Sequence, residues 1–458
     1  MKNDMTTGVE WKRILIFSLP IMMGQLLQQL YSTIDGIVVG NYVNEAALAA
    51  IGTCTPLTMV FLSAAMGLSN GAGIMIAQFF GAKRLTDLRE AASTAFVLLA
   101  ALGVVFSVAG VIFARPLIAG LMNVEAGDIQ NYAVEYFAIY AAGLIFQFGY
   151  NAVAYILRAI GDSKATLYFL CISSVMNLVL DLLFVIVFGW GVAGAAIATV
   201  IAQICSMIAS IIYMNKKYEM LRFRLSELRF VGEKCRLCLR LGIPTTVQQC
   251  VVSFGSVFVQ RLINGYGQFT MAACTVGTRI ESYTMVPIMG FNMGMANFTG
   301  QNIGAGRLDR ITRGLRATLF LEICSTLLVC LCTFCFARPL AALFGVGGTA
   351  MGQAIENIRF QSIFFVIFSA YFAVGAVIQG SGDVIFSTIG TLSSLFFRVI
   401  FAYIFAYGFK MDYHACWVSM PIGWVVSLSV VSLRYRSGVW KSKSVVKHTR
   451  DELAEAEV

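Results

Sequence analysis

About twelve long, predominantly apolar stretches run through the chain, and short polar links separate them. A helix needs roughly 20 mostly apolar residues to cross the hydrocarbon core of a bilayer, and it satisfies its backbone hydrogen bonds internally. The stretches therefore predict an all-α polytopic membrane protein with twelve transmembrane helices. Hydrophobic residues make up 58% of the chain and charged residues only 12%, which excludes a soluble globular enzyme and a disordered protein.

A basic polar stretch at residues 215–240 divides the predicted spans into six before it and six after it. We predict that this linker lies on the inner membrane surface, because anionic lipid attracts basic amphipathic segments. The predicted domains are an N-terminal six-helix lobe over 1–214, a basic cytoplasmic linker over 215–240, a C-terminal six-helix lobe over 241–436 and a cytoplasmic tail over 437–458. The predicted spans are residues 14–39, 49–80, 92–117, 132–160, 166–189, 192–214, 241–264, 272–303, 317–343, 354–380, 384–408 and 415–436.

The two halves of the chain repeat each other in the same order, at offsets of 221 to 225 residues. Six spans per repeat is an even number, so both lobes have the same membrane orientation and form a parallel internal repeat. Duplicated bundles of this kind commonly enclose a site that opens to alternate sides, which indicates a transporter. The matching pairs are AALAAIGT and MAACTVGT, AQFFGAKR and GQNIGAGR, FARPL twice, and RAIGD and QGSGD.

Lysine and arginine residues are distributed unequally between the two sides of the membrane. If both termini face the cytoplasm, the segments on that side hold 26 of the 33 basic residues, and the outer segments hold 6. Since basic residues favour the cytoplasmic side, we predict a multi-pass protein of the cell inner (plasma) membrane with both termini cytoplasmic. The same bias accounts for the net charge of +9, so no nucleic-acid partner is expected.

Acidic residues inside spans are candidate functional groups, because an ionised side chain in the bilayer core costs several kcal/mol. Asp35 lies in the first span, fifteen residues after Pro20, and Tyr31 lies one helical turn before it. A proline permits a helix to kink, so we predict that Asp35 couples transport to protons or cations and that Pro20 is a hinge. The alternative is a hydrated acid at the outer end of the span. Other acids within spans are Asp181 and Glu322.

Asn177 and Asp181 lie four residues apart and form the only polar stripe of their span. A tight turn leads into the next span, so Thr199 can face Asp181. Carboxylate, amide and hydroxyl oxygens are hard ligands that suit sodium or a shared proton. We predict an ion-coupling site at Tyr31, Asp35, Asn177, Asp181 and Thr199, with a Na+ site at Asp35, Asn177, Asp181 and Thr199. The alternative is a hydrogen-bond clamp between helices.

The second half lacks these groups, since Val259 stands at the place of the first acid and Arg398 and Ala402 stand at the places of the Asn–Asp pair. Arg398 has three interpretations: pairing with an acid, contact with an anionic group, or snorkelling to the membrane surface. Uncharged amides in spans line cavities or serve as interhelical hydrogen bonds. The predicted second-lobe cavity lining is Gln248, Gln249, Asn292 and Arg398.

Motifs for bound cofactors are missing from the sequence. It has two histidines, its twelve cysteines lack zinc-site spacing, it contains no HExxH or Walker motif, and its GxSxG match at residues 67–71 lies inside an apolar span and not in the context of a hydrolase. We therefore expect no cofactor apart from a coupling ion, H+ or Na+, and no ATP-driven step. A membrane-embedded enzyme is disfavoured for the same reason. A receptor or a channel is disfavoured because neither would require duplicated lobes with a buried acid cluster.

The sequence resembles the multidrug and toxic compound extrusion (MATE) family over about residues 10–440. The pieces that carry the resemblance are SLP in the first span, TIDGIVVG, AALAAIG, the paired AQFFGAKR and GQNIGAGR, LRAIGD, NLVLD with Thr199, and RYRSGVW. The resemblance implies twelve helices in two six-helix lobes around a central cavity. It also implies export of organic cations and other toxic compounds in exchange for protons or sodium, with bending of the first span at its proline.

Within the family, the first-lobe positions Tyr31, Asp35, Asn177, Asp181 and Thr199 resemble the DinF-type branch. The branch typified by NorM carries an acid in the seventh span where this sequence has Ser253. The resemblance predicts a monomeric antiporter whose partners are small amphipathic or cationic substrates and the lipid bilayer. The alternative is a lipid-linked saccharide flippase of the same superfamily, although those usually have two more spans and a cationic cavity.

Overall fold

The computed structural model describes residues 4–42, 45–122, 127–222 and 228–446, without the side chains of 31–42, 45–48, 121 and 254. All regular secondary structure in these ranges is helical, which confirms the predicted all-α class. The helices are α1 (Glu10–Tyr42), α2 (Glu45–Gly81), α3 (Leu85–Ile112), α4 (Ala114–Pro116), α5 (Asp128–Ala142), α6 (Leu144–Ala159), α7 (Ser163–Asp181), α8 (Gly191–Lys217), α9 (Gly232–Gly265), α10 (Gln268–Gly304), α11 (Leu308–Cys335), α12 (Ala337–Ala342), α13 (Gly348–Gly380), α14 (Val384–Tyr403) and α15 (His414–Arg436).

Thirteen of these helices form the twelve membrane spans, because α5 and α6 together make one span. Among the described residues, eight helices are long and apolar enough to cross a bilayer, or nine when α5 and α6, which meet at a 45° bend, count as one span. The others are α1, α9 and α10, with 33, 34 and 37 residues. At about 1.5 Å per residue each of these exceeds the roughly 30 Å of the hydrocarbon core. The chain is thus a polytopic membrane protein of twelve spans.

The helices form two compact units, and each unit draws mainly on one half of the chain. The first-half unit comprises Met23–Ile76 and Arg84–Thr246. The second-half unit comprises Met1–Met22, Ala77–Lys83 and Val247–Val458. The helices α1, α2 and α9 therefore each contribute residues to both units.

In the first-half unit, a core of buried apolar side chains lies among α2, α3, α5 and α6, and α8 packs on α5 and α6. Phe137 and Phe148 are fully buried there together with Leu99 and Leu144, and small alanines fill the gaps between helices. Burial of this kind stabilises by roughly 25 cal/mol for each Å² of apolar surface that leaves water. The core fixes the helix pair α7 and α8, which carries the predicted ion-coupling residues.

In the second-half unit, the beginning of α1 packs on α10. Ile14 and Phe17 are buried against Phe291 and Met295. The residues after α15 also fold back onto this unit, where Trp440 is buried and stacks on Tyr435 at 5.5 Å between ring centroids.

The paired motifs AQFFGAKR and GQNIGAGR mark a close crossing of α2 and α10 inside the second-half unit. A side chain at Gly81 would collide with the backbone carbonyl of Gln301, and one at Gly304 would collide with the carbonyl of Gln78. Only glycine fits at such a crossing. The amide of Gln78 donates to the Gly380 carbonyl at 3.0 Å and accepts from the tail, which fastens these elements together.

Several helices begin before their predicted spans, and α9 and α11 differ most. The helix α9 begins at Gly232, within the stretch predicted as a linker, and α11 begins at Leu308, nine residues before its predicted span. The first turns of α9 and α11 contain charged residues, so a hydropathy profile does not detect these helix starts. In α9, for example, Lys234 donates to Asp87 at 2.5 Å, so its charge is paired within the fold.

Candidate functional site

The candidate site in the first-half unit lies on the antiparallel pair α7 and α8. Asp181 is the last residue of α7, and a π-helical segment, Leu182–Val187, follows it directly. Segments of π-helix inside helices are frequent at functional sites. Asn177 lies one turn before Asp181, and the two side chains are 3% and 1% exposed. Two strongly polar groups are thus held inside an apolar helix pair.

The structure brings Asn177 and Thr199 together across the two helices. The amide Nδ2 of Asn177 donates to Thr199 Oγ1 at 3.3 Å, and Thr199 Oγ1 donates to the Ala195 carbonyl at 3.0 Å. The contact fixes Asn177 and Thr199 against each other, one from each helix. Asp181 lies one turn after Asn177 on α7.

The remaining members of the predicted cluster belong to α1. Tyr31 and Asp35 lie within the helical backbone of α1, but their side chains are outside the described residues. Pro20 is buried inside the same helix, which runs through it without interruption. The prediction that Asp35 and Tyr31 join the cluster therefore stays a prediction.

A polar cavity of about 150 Å³ opens beside the Asn177–Thr199 contact. It has room for several waters or an ion but is smaller than the 300–1,000 Å³ typical of pockets for drug-sized ligands. Most of its lining side chains are amides and hydroxyls, drawn from four helices. They are Gln28 of α1, Gln147 and Tyr150 of α6, Ser173 and Asn177 of α7, and Thr199, Gln203 and Ser206 of α8.

In the second-half unit, two of the predicted lining residues make hydrogen bonds between helices. Gln248 donates to Thr391 Oγ1 at 2.5 Å, and Asn292 donates to the Phe372 carbonyl at 3.0 Å. Gln249 is exposed. These contacts match the interhelical role of amides in spans.

Arg398 lies in α14 and has no ion pair within 4 Å in the described part of the chain. Its Nε atom is buried without a hydrogen-bond partner there. The guanidinium interacts electrostatically with the carboxyl group of Glu281 on α10. Of its three interpretations, the electrostatic attraction to Glu281 favours the first, although the two groups form no direct ion pair.

Comparison with known proteins identifies the family. A family model described as MatE matches residues 20–183 and 244–404, one segment in each half of the chain. The chain belongs to the MatE family. The matched segments include Asn177 and Asp181 but end before α15, and their spacing follows the internal repeat.

Similar proteins cover almost the whole of this MatE chain. The Probable multidrug resistance protein YoeA of Bacillus subtilis is 26% identical over 445 residues, which are 95% of this chain and 96% of the relative. The FAD transporter of Shewanella oneidensis is 26% identical over 378 residues, 80% of each chain. A structure described as the outward-facing conformation of a multidrug resistance MATE family transporter superposes with a TM-score of 0.88 at 26% identity, covering 96% of this chain and 99% of that one.

These matches make the MatE chain a multi-pass membrane transporter and not an enzyme. They also agree with the twelve spans in two six-helix lobes that the repeat predicts. The amide and phenol groups of Gln147, Tyr150 and Gln203, which line the cavity, are not singled out by the sequence. The sequence feature that could have identified them is a polar side chain inside an apolar span, and the predicted site residues have the same feature.

Proposed function

We propose that this chain is a secondary antiporter that exports amphipathic or cationic small molecules in exchange for protons or sodium ions. The observation that carries the proposal is the nearly complete burial of Asp181 one helical turn from Asn177, which contacts Thr199 and lines a polar cavity with it. The similarity to a probable multidrug resistance protein supports the export of drugs. The first-lobe positions also favour the DinF-type branch.

The coupling chemistry follows from the cost of charge in a bilayer. A carboxylate at Asp181 is expensive when the site is closed to water, so binding a proton or Na+ there lowers the cost. Asp35 is the second acid of the proposed site, with Tyr31 one turn before it. When the ion leaves, the charged site favours a different arrangement of the helices, and this preference couples ion movement to substrate movement.

Two prolines support a hinge. The boundary between the two units falls after Met22 in α1 and after Thr246 in α9. Pro20 and Pro244 each lie two residues before one of these boundaries. A proline removes one backbone hydrogen bond, so bending at that point costs less than elsewhere in a helix.

The setting and the substrates are part of the same proposal. We place the protein in the inner (plasma) membrane as a monomer with both termini cytoplasmic, because basic residues concentrate on that side. The relatives include a named FAD transporter, so the substrate panel needs anionic flavins as well as organic cations.

The test is transport of a fluorescent organic cation into inverted vesicles, whose lumen corresponds to the cell exterior, under a pH gradient or a sodium gradient imposed separately. Asp35→Asn and Asp181→Asn are expected to slow gradient-driven export at least tenfold, as a loss of about 1.4 kcal/mol in ion binding would. The matched control is Asp128→Asn, which removes an exposed carboxylate at the start of α5.

The gradient that drives export identifies the ion. Unchanged export in both acid variants would exclude the first-lobe coupling site. Export that ignores both gradients, or movement of a lipid-linked saccharide instead, would favour the flippase.

A further inference from the structure

Glu322 is a buried acid that the proposed site does not use. It lies in the middle of α11, which packs on α10 and α13. Its side chain is fully buried at 0% exposure, and neither carboxyl oxygen has a hydrogen-bond partner among the described residues. No ion pair within 4 Å involves it in that part of the structure.

Glu322 is the centre of a polar stripe on one face of α11. Thr318 lies one turn before it and Thr326 one turn after it, and both are fully buried. Thr318 Oγ1 donates to the sulfur of Met295 on α10 at 3.2 Å, whereas Thr326 Oγ1 has no partner in the described residues. Three oxygen atoms of the stripe therefore have no hydrogen-bond partner in the described residues: the two carboxyl oxygens of Glu322 and Thr326 Oγ1.

The neighbouring helices offer no charge to balance a carboxylate. The sequence of α10 has no charged residue after Glu281, that of α13 has none after Arg359, and Glu322 is the only charged residue of α11 after Arg316. Among the titratable groups on these helices, Tyr371 shares a hydrogen bond with Thr391 at 2.6 Å. The other uncharged ones are Tyr283, which is exposed, the buried Cys274 of α10, and the cysteines of α11, of which Cys330 is buried.

An ionised carboxylate in these surroundings would have neither a counterion nor a hydrogen bond, at a cost of many kcal/mol. The neutral acid avoids that cost. Sodium would need about six oxygen ligands or more, by analogy with other hard cations, whereas the stripe offers the carboxyl group and a few hydroxyl groups. The chemistry of the site thus suits a proton.

We propose that Glu322 is a second proton-binding site of the transporter, in the second-half unit, which holds its proton in this conformation and releases it when the stripe becomes hydrated. The inference rests on the proposed antiport. On release, the carboxyl O–H bond breaks and the proton passes to water. The carboxylate that remains takes up a proton before the face of α11 closes again.

Two measurements test the site, with Glu322→Gln as the variant, because glutamine keeps the shape of the neutral acid and cannot release a proton. The first is the infrared carbonyl band of protonated carboxylic acids, recorded on purified protein at neutral pH. The second is the number of protons moved per substrate exported in proteoliposomes. The matched control is Glu356→Gln, which changes an exposed acid at the outer part of α13.

We expect Glu322→Gln to lose part of the carbonyl band and to move one proton fewer per substrate, while Glu356→Gln matches the wild type. A band that is unchanged in Glu322→Gln, or an unchanged proton count, would overturn the inference. If Glu322→Gln does not fold, the wild type alone provides the test. The absence of any carbonyl band of a protonated carboxylic acid at neutral pH would then overturn the inference.

The same experiment separates this inference from the proposed antiport. A wild type that moves sodium but no protons would overturn the Glu322 site and leave sodium antiport intact. Proton-coupled export that Asp181→Asn abolishes and Glu322→Gln leaves unchanged would also overturn only the Glu322 site. Export without any ion coupling would overturn both.

Discussion

Asp162, in the RAIGD turn, accepts hydrogen bonds from three side chains. Its carboxylate accepts hydrogen bonds from Lys217 at 2.8 Å, from Tyr213 at 2.9 Å and from Tyr218 at 2.7 Å. One oxygen also caps α7 by accepting from the Ala165 amide at 3.3 Å. Burial raises the pKa of Asp162, but the hydrogen bonds from Lys217 and the two tyrosines outweigh it, so the net pKa lies below the ordinary value.

We expect Asp162→Asn to lower the free energy of unfolding at neutral pH by about 2 kcal/mol, as the loss of charged hydrogen bonds does. Because the pKa is lowered in the folded state, the contribution of Asp162 is complete above the unfolded value of about 3.9 and is lost as the pH falls through the folded value. Denaturation of the purified protein in detergent, repeated from neutral to acid pH, measures both effects.

Lys217→Met is the companion variant. If the two groups act as one pair, the double variant loses less stability than the sum of the single variants. Equal stability of wild type and Asp162→Asn at neutral pH would contradict the prediction.

The residues of the candidate site differ in how visible they are in the sequence. The sequence predicts Asn177, Asp181 and Thr199, because a strongly polar side chain inside an apolar span costs free energy and therefore indicates a function. Gln147 and Gln203 are equally polar, but an amide in a span serves either as a cavity lining or as a hydrogen bond between helices. The choice depends on how α6 and α8 pack, and hydropathy does not encode it.

At the scale of helices, the sequence predicts the middle of each span better than its ends. The eleventh span is predicted at 384–408, and α14 with its π-helical continuation covers the same residues. The fourth span, predicted as one helix, is bent by 45° between α5 and α6 at Gly143. Hydropathy reports only the apolar length that a helix needs to cross the lipid. It therefore predicts neither a bend within that length nor a charged first turn beyond it.

The crossing of α2 and α10 gives a prediction for these elements. Gly304→Val is expected to destabilise the protein by about 3 kcal/mol or more, because the added side chain would meet the rigid backbone carbonyl of Gln78 and neither helix can move without losing packing. Thermal unfolding in detergent measures the change. The control is Gly352→Val in α13, where an added Cβ meets nothing within 4 Å.

A Gly304→Val protein as stable as Gly352→Val would contradict the close crossing. The repeat supplies a second check, since Gly81→Val introduces the same collision from the other helix against the carbonyl of Gln301. The two variants are therefore expected to lose similar amounts of stability.

For the whole molecule, the repeat predicts two six-span lobes, but the compact units do not follow the halves strictly. The first part of α1 packs with the second-half helices, and the first part of α9 packs with the first-half helices. This exchange joins distant parts of the chain, and no local pattern of apolar residues encodes it. A bend in either helix would therefore act between elements that belong to different units.

The last prediction concerns this arrangement. Pro20→Ala restores the hydrogen bond that proline removes and makes α1 harder to bend by up to about 3 kcal/mol. We therefore expect Pro20→Ala to fold with wild-type or higher thermal stability and to export substrate at least tenfold more slowly, since about 1.4 kcal/mol on a rate-limiting bend gives a factor of ten. Pro56→Ala is the control, because this exposed proline lies in the part of α2 that belongs to one unit. Equal slowing in both variants would mean that replacing any helix proline slows export. Slowing in Pro20→Ala alone, with substrate binding retained, would place the transport motion at the point where α1 passes from one unit to the other.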